Sequence, residues 1–200
     1  MLIPIFVGVK LLNLILFSSL YLSSLTAWTQ TKVEREFRLK ESEIPKAALD
    51  FTNKLTFEAK ERWYREESEN SHSIELKSKL FDRDISIEFD TLGRLEDVEI
   101  KLGATELDKL VLARIDSILV AKHDRHKILK IQYQLSDSEE VVLKYLAKEP
   151  DLVKTPHQLE LVLRTSTRGA YEKWGYLFTQ EGSLVSRIKF QLKNTDILDY

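Results

Sequence analysis

The four histidines are the side chains of this cysteine-free chain best suited to metal binding or proton transfer. His123 and His126 have a spacing that could place two imidazoles on one helical face around a divalent cation. Three cations in the same stretch would repel a metal ion: Lys122, Arg125 and Lys127. Basic residues here are also typical of a helix end, where they interact favourably with the helix dipole. We therefore expect no metal site, and the lack of cysteine excludes thiol nucleophiles.

Closely spaced carboxylates are the second candidate for chemistry, since glycosidases cleave sugar linkages with two of them. Such a pair needs a cleft and surroundings that drive the two pKa values apart. The pairs in this chain lie in a turn or on strand positions that face solvent: Asp82 with Asp84, Glu66 with Glu67, and Asp97 with Glu99. The chain also has no G-x-S-x-G sequence and no phosphate-binding glycine cluster. We expect no catalytic residue and no cofactor, and a protein that is not an enzyme.

Aromatic side chains are concentrated in the segments with strand-like patterns. They are Trp63, Tyr64, Tyr171, Trp174 and Tyr176. Tryptophan and tyrosine dominate the energetics of many protein interfaces, so aromatics on an open sheet face could anchor a partner. The alternative is that they fill the core between sheet and helices. We expect Trp63 and Trp174 in the core, and we take Tyr64 and Tyr171 as the candidate partner-binding residues.

The elements that position these residues follow a segment typical of an export signal. Residues 1–27 contain one charge, Lys10, then an apolar run from Leu11 to Leu22, and they end in small and polar residues. A transmembrane anchor is the alternative, but no strongly basic cluster follows the apolar run. We predict a signal peptide over residues 1–27, cleavage near Trp28, and export to the periplasm or the extracellular space without stable membrane insertion.

The charge balance excludes some classes of partner. The chain has 30 basic and 32 acidic residues and a formal net charge of −2. Nucleic-acid binding usually needs a clustered basic face, and an anionic membrane surface needs a polybasic patch. We therefore expect no nucleic-acid partner. Small secreted domains often depend on disulfides, so an exported chain without cysteine must depend on its hydrophobic core.

One order of elements occurs twice along the chain. In the first half, Ile44-Pro45 opens a helix, and the strands that follow end in a hairpin at residues 90–93 with a bulge before Val98. In the second half, residues 105–108 open a longer helix, and the strands end in a hairpin at residues 179–182. These patterns predict an α+β fold of two tandem repeats, each one helix packed on an antiparallel β-meander.

The predicted domains are a first repeat over residues 28–103 and a second over residues 104–200. The second repeat contains an insertion at residues 136–156. Within it, the sequence around Val141, Val142, Tyr145 and Leu146 indicates a short helix. Such an insertion either carries binding function or acts as a packing lid.

The end of the first repeat carries a recognisable block, Glu88-Phe89-Asp90-x-x-Gly93-x-Leu95, in which a strand runs into a glycine turn. With Ile44-Pro45 and Trp63 before it, this block resembles the PepSY-like family, which is described as similar to the beta-lactamase-inhibitor protein. The resemblance implies small exported proteins of Gram-negative envelopes, with helix-plus-sheet domains in tandem and neither catalytic residues nor a cofactor. It also implies a concave sheet that holds a protein partner. The absence of cysteine and the 136–156 insertion depart from the inhibitor.

Two functions follow as hypotheses. The first is an exported, non-enzymatic binding module that uses its sheet face to inhibit or scaffold an envelope or secreted protein. The alternative is a periplasmic carrier or sensor of a small apolar ligand held between helix and sheet. The first needs an open face with exposed anchors, and the second needs an enclosed apolar cavity.

Overall fold

The computed structural model describes residues 31–32, 35–67, 72–147 and 157–190. In these ranges the strands are β1 (Thr31–Lys32), β2 (Arg35–Arg38), β3 (Arg62–Glu67), β4 (His72–Leu80), β5 (Arg83–Asp90), β6 (Leu95–Lys101), β7 (Arg125–Leu135), β8 (Gln158–Thr167), β9 (Ala170–Thr179) and β10 (Leu184–Phe190). The α-helices there are α1 (Lys46–Thr52), α2 (Lys109–Val120) and α3 (Glu139–Leu146). The predicted signal peptide lies outside the described residues. None of the helices in the described ranges is long and apolar enough to span a membrane.

All strands of the described residues belong to one sheet, in the order β1-β10-β9-β8-β7-β6-β5-β4-β3-β2. The nine strands from β10 to β2 form an uninterrupted antiparallel series, and β1 adds to β10 in parallel. The series is continuous across the predicted boundary at residues 103 and 104, because β6 pairs with β7, with Val98 opposite Leu135.

The predicted fold class, an α+β arrangement of two helix-on-meander repeats, is therefore wrong. The protein is mostly one antiparallel sheet with a few short helices. Hydrophobic periodicity located strands and helices, but it carries no information on whether the edges of two meanders hydrogen-bond to each other. An unpaired edge strand leaves backbone N–H and C=O groups without partners, and here the edge strands of the two meanders, β6 and β7, pair with each other. The division into domains at residue 103 stays a prediction.

The two edges of the sheet lie close together. β1 is at one edge and β2 at the other, yet only two residues separate Lys32 from Arg35. In a flat sheet of ten strands the edge strands would be roughly 43 Å apart, at about 4.8 Å for each neighbouring pair. The chain between Lys32 and Arg35 spans at most about 11 Å. The sheet must therefore curl, which gives it a concave inner face and a convex outer face.

The hydrophobic core lies between the helices and one face of the sheet, which we assign as the outer face. Each helix buries two apolar side chains in it: Ala48 and Phe51 of α1, Ile115 and Leu119 of α2, and Val142 and Leu146 of α3. Trp63 and Trp174 are 7% and 6% exposed, so their predicted place in the core is confirmed. Trp63 stacks on Phe89 at a centroid distance of 5.9 Å. The short helix expected in the insertion is also confirmed, and it packs on the core as a lid would.

Both predicted glycine hairpins are present and pack against helices. Gly93 has φ +84°, and a Cβ there would lie 2.8 Å from the Ala48 nitrogen in α1. Gly182 has φ +82°, and its Cβ would lie 3.1 Å from the Val111 carbonyl oxygen in α2. Both positions therefore need glycine for its positive φ and its lack of a side chain. The predicted bulge before Val98 is confirmed by a register shift between β5 and β6.

Candidate functional site

The inner face of the sheet is the surface that α1, α2 and α3 leave uncovered. Its side chains alternate along each strand with those of the core. Its residues in β3 to β7 are Arg62, Tyr64, Glu66, Glu75, Lys77, Ser86, Glu88, Asp97, Glu99, Lys101, Lys130, Gln132 and Gln134. In β8 to β10 they are Glu160, Val162, Arg164, Lys173, Gly175, Leu177, Ile188 and Phe190.

Several polar side chains of the inner face are buried although no helix among the described residues packs on them. Glu75 and Gln132 are each 4% exposed, Ser86 is 7% exposed and Glu99 is 8% exposed. On a flat or convex surface such side chains would be open to water. We therefore assign this face as the concave side of the curled sheet.

One part of the inner face is acidic and carries its own cation. Glu36, Glu66 and Glu75 form what we call the first triad, with one carboxylate oxygen of each within 4.8 Å of the others. The ammonium of Lys77 lies 3.0 Å from Glu36 Oε1 and 2.8 Å from Glu75 Oε2. Burial lowers the pKa of Lys77, but hydrogen bonds and ion pairs with Glu75 and Glu36 outweigh it and raise this pKa above its usual range.

A second group of three carboxylates lies on the neighbouring strands. Glu88, Asp97 and Glu99 form the second triad, again with one oxygen of each within 4.8 Å of the others. Glu88 is directly opposite Asp97 in the β5–β6 pair. Burial, followed by repulsion from Asp97, Glu99, Glu66 and Glu75, raises the pKa of Glu88 to about 9. Glu88 is therefore largely protonated at neutral pH in the isolated protein.

Two glutamines on β7 contact the second triad. The amide nitrogen of Gln134 donates to Asp97 Oδ2 at 2.9 Å, and that of Gln132 donates to Glu99 Oε2. Among the described residues the side-chain oxygen of Gln132 has no hydrogen-bond partner. An acceptor buried to this degree and left unsatisfied is unusual in a native protein.

The interpretation of Asp97 and Glu99 as solvated surface carboxylates is wrong. Their alternation with apolar residues correctly put them opposite the core, but it could not reveal that the sheet curls over them. The register of the predicted hairpin at residues 90–93 could have predicted part of this cluster, since it places Glu88 beside Asp97. Asp82 and Asp84 are exposed, as expected, and Asp84 pairs with Lys101 at 3.0 Å.

A groove of about 300 Å³ crosses the inner face beside the two triads. It brings together four basic side chains from four strands: Arg62, Lys77, Lys101 and Lys130. Glu75, Ser86 and Gln132 also line it, so acidic and basic groups alternate around one polar depression.

The opposite part of the inner face, on β8 to β10, is apolar. Val162, Leu177, Ile188 and Phe190 are half-buried there without a covering helix in the described residues. Gly175 lies between them, and a Cβ at this position would lie 3.1 Å from Ile188 and 3.3 Å from Phe190. The missing side chain of Gly175 lets these two residues pack down onto the sheet.

The two candidate partner-binding tyrosines lie far apart in the strand order. Tyr64 is half-buried in β3 opposite Glu75, and the ammonium of Lys77 lies 5.2 Å from its ring centroid. Tyr171 is 60% exposed in β9 opposite Ser166. Both have the strand parity of the inner face, and the structure does not bring them into contact among the described residues.

The histidines have separate partners. His123 is 6% exposed, and its Nε2 and Nδ1 lie 2.7 Å from the Tyr176 hydroxyl and 3.3 Å from the Thr167 hydroxyl. Burial, followed by repulsion from Arg187, lowers the pKa of His123. His126 instead has its Nε2 3.0 Å from Asp116 Oδ1. These two imidazoles are thus used in different contacts rather than directed at one point.

No protein-family model and no curated protein matches the chain. A DUF2874 family protein from Bacteroides uniformis ATCC 8492 has a TM-score of 0.49 and 11% identity, over 72% of this chain and 88% of that chain. A second, from Bacteroides ovatus ATCC 8483, has a TM-score of 0.49 and 12% identity over 78% and 97%. A protein from Bacteroides eggerthii DSM 20697, provisionally described as periplasmic, has a TM-score of 0.49 and 9% identity over 73% and 88%. Likeness at this level carries no conclusion about activity or location.

Proposed function

We propose that the protein is an exported, non-enzymatic binding module that holds a segment of another envelope or secreted protein against its inner face. The observation that carries this proposal is that the inner face is concave and uncovered by the helices, yet contains both half-buried apolar side chains and buried charges. The export signal predicted over residues 1–27 supports the location. The resemblance to the PepSY-like family supports binding rather than catalysis.

The composition of the inner face suits a protein interface. Interfaces combine an apolar centre with polar and charged groups that set register and orientation. Here the apolar part comes from β8 to β10 and the charged part from β3 to β7. Because the sheet curls, its inner face fits an extended or looped segment better than the flat surface of a folded domain.

The second triad is the feature that an enzyme would share, since a raised carboxyl pKa is needed by an acid catalyst. A glycosidase, however, holds its two carboxyl groups roughly 5–10 Å apart, with the scissile bond between them. In the second triad one oxygen of each carboxylate lies within 4.8 Å of the other two, which is closer than the glycosidase spacing. This geometry favours the binding of positive charge over hydrolysis.

Site-specific photo-crosslinking tests the proposal in the envelope of the source cell. A photoreactive phenylalanine analogue replaces Leu177 on the inner face, and a matched variant carries it at Val120, which is 62% exposed at the end of α2. We expect a discrete protein adduct from position 177 and none from position 120. Adducts only from position 120, or the same adducts from both positions, would contradict binding through the inner face.

A second candidate function, the carrier of a small apolar ligand, is favoured by a groove beside α2. This groove has a volume of about 460 Å³ and is lined by Leu107, Leu110, Val111 and Leu159 among others. Leu110 is 78% exposed at its edge. If this groove holds a ligand, Leu110→Asp should abolish binding of a fluorescent apolar dye, and Leu177→Asp should not. Loss of dye binding in Leu177→Asp but not in Leu110→Asp would show that the apolar ligand binds at the inner face instead.

A further inference from the structure

We propose that the segment held by the inner face carries acidic side chains next to apolar ones, and that Arg62 and Lys130 bind its carboxylates. This inference rests on the binding through the inner face proposed above and adds the chemistry of the partner. Two observations support it: the charge balance of the groove on β3 to β7, and the position of that groove beside the apolar part of the face.

The groove on β3 to β7 has more positive than negative charge. Four basic side chains and two carboxylates line it: Arg62, Lys77, Lys101, Lys130, Glu75 and Asp84. Both carboxylates already have a cation. Glu75 Oε2 lies 2.8 Å from Lys77 Nζ. Asp84 Oδ2 lies 3.0 Å from Lys101 Nζ, and Arg62 attracts Asp84 only through space. In the described residues neither Arg62 nor Lys130 forms an ion pair, so their two positive charges can bind an anion from outside.

The curl of the sheet brings these two cations to one groove. Arg62 is on β3 and Lys130 is on β7, with three strands between them. In a flat sheet β3 and β7 would be about 19 Å apart, at about 4.8 Å for each neighbouring pair. Here both side chains line one groove of about 300 Å³, and both are exposed. A carboxylate that enters the groove can pair with either cation without first breaking an ion pair within the protein.

The groove adjoins the apolar part of the inner face at Lys130. Lys130 is directly opposite Val162 in the β7–β8 pair. The same line across the sheet continues from Val162 to Gly175 and from Gly175 to Ile188. A segment that crosses the strands along this line contacts cations first and apolar side chains next. In such an interface the apolar contacts exclude water, while the charged pairs fix register and orientation.

This arrangement favours an acidic protein segment over a nucleic acid or a sulfated polysaccharide. Such polyanions carry charge along their whole length and bind extended basic faces. Glu75 and Asp84 line the groove, and Glu160 is on the same face of β8 as Val162. These carboxylates would repel a densely charged chain. A peptide can instead place its acidic residues only where Arg62 and Lys130 lie.

Selection from a phage-displayed library of random peptides on the mature protein tests this chemistry. We expect enrichment of peptides in which aspartate or glutamate is next to leucine, isoleucine or phenylalanine. Fluorescence anisotropy of a selected peptide then gives its affinity. Raising NaCl from about 50 mM to about 500 mM should weaken binding about tenfold, because salt screens exposed ion pairs.

Variants of the protein test each half of the inner face with the same selected peptide. Lys130→Glu should weaken binding about tenfold, because a carboxylate of the peptide would then meet a like charge. Lys109→Glu is the matched control, since it makes the same change of charge at an exposed position of α2 and should leave affinity unchanged. Leu177→Ser should also weaken binding, and Val120→Ser should not. Circular dichroism checks that each variant folds.

Four results would overturn the inference. Enrichment of basic or uncharged peptides, or no enrichment, would do so. Weakening by Leu177→Ser but not by Lys130→Glu or by salt would do so too, and would leave binding through the inner face intact. Unchanged affinity in both variants would contradict the inference and the proposed function together. Tighter binding of dextran sulfate than of the selected peptide would assign the groove to a polyanionic polysaccharide instead.

Discussion

Two groups of three carboxylates lie side by side on the inner face, and the structure treats them differently. In the first triad, Glu36 and Glu75 contact the ammonium of Lys77, which β4 itself provides. In the second triad, burial followed by repulsion from nearby carboxylates raises the pKa of Glu88 to about 9. The same sheet therefore places a cation of its own against the first triad, whereas Gln132 and Gln134 supply amide donors to the second.

This difference separates a structural cluster from a functional one. Buried charges are tolerated when they are paired and costly when they are not. A chain that places Lys77 beside Glu75 has a simple means of neutralising carboxylates on this face. Retention of Glu88, with its raised pKa, on the neighbouring strand directly opposite Glu75 is typical of a functional site, where stability is given up for function.

The largest expected effect comes from removing the internal cation. Lys77→Met should destabilise the protein by about 2–3 kcal/mol, because Glu75 would stay buried without its ion pair. The side chain of Lys77 is 34% exposed, so the cost is lower than for a fully buried pair. Lys79→Met on the same strand, where the side chain is exposed, should change stability by less than about 0.5 kcal/mol. Equal unfolding midpoints in urea for the two variants would show that the first triad is not held by Lys77.

Replacing a glutamate with glutamine should change the free energy of unfolding in opposite directions in the two triads. Glu88→Gln should stabilise the protein by on the order of 2 kcal/mol at pH 8, since it removes a carboxyl that is destabilised by burial and repulsion. Glu75→Gln should destabilise it by roughly 1–2 kcal/mol, since Lys77 loses its nearest partner. Thermal and urea unfolding measure both. Destabilisation by Glu88→Gln would contradict the contrast between the triads.

Glu88 should also set a pH dependence of stability. Its pKa is raised from 4.5 to about 9, so between these values the folded chain binds a proton that the unfolded chain has released. Stability should therefore fall as pH rises through this window, by at most about 1.4 kcal/mol per pH unit. Glu88→Gln should flatten the slope between pH 6 and 9. If stability changes with pH by the same amount in the wild type and in Glu88→Gln, the pH dependence comes from other groups.

The smallest effect on stability is expected at the candidate partner-binding residue Tyr171. Tyr171→Ala should change the free energy of unfolding by less than about 0.5 kcal/mol, because the ring is 60% exposed. It should weaken binding of the crosslinked partner by about 2 kcal/mol, as loss of an interface anchor does. Trp174→Ala, on the opposite face of the same strand, should instead cost about 3–5 kcal/mol of stability. Normal partner affinity of Tyr171→Ala would remove Tyr171 from the interface.

Local features of this fold could be predicted from the sequence because each depends on neighbouring residues. Asp108 accepts hydrogen bonds from the Leu110 and Val111 amides at 2.7 and 3.3 Å and so caps α2, at the last residue of the pattern at 105–108 that predicted the helix start. The glycine hairpins and the tryptophans of the core follow from turn chemistry and alternation in the same way.

The curl of the sheet could not be predicted, because it depends on pairing between distant segments. β1 pairs with β10 and β2 pairs with β3, although the two strands are neighbours in the chain. Alternation showed only that Glu75, Glu88 and Glu99 face away from the core. Whether that side is solvent or a concave face is decided by where the sheet edges meet. The candidate site was missed for this reason.

Titration of Glu88 by carboxyl ¹³C NMR is the most direct test of the contrast between the two triads. We predict that the Glu88 resonance titrates near pH 9, far above the usual range for glutamate. A Glu88 midpoint of about 4–5, the ordinary value for an exposed glutamate, would show that burial and neighbouring carboxylates do not disfavour its charge, and would contradict the difference between the two triads.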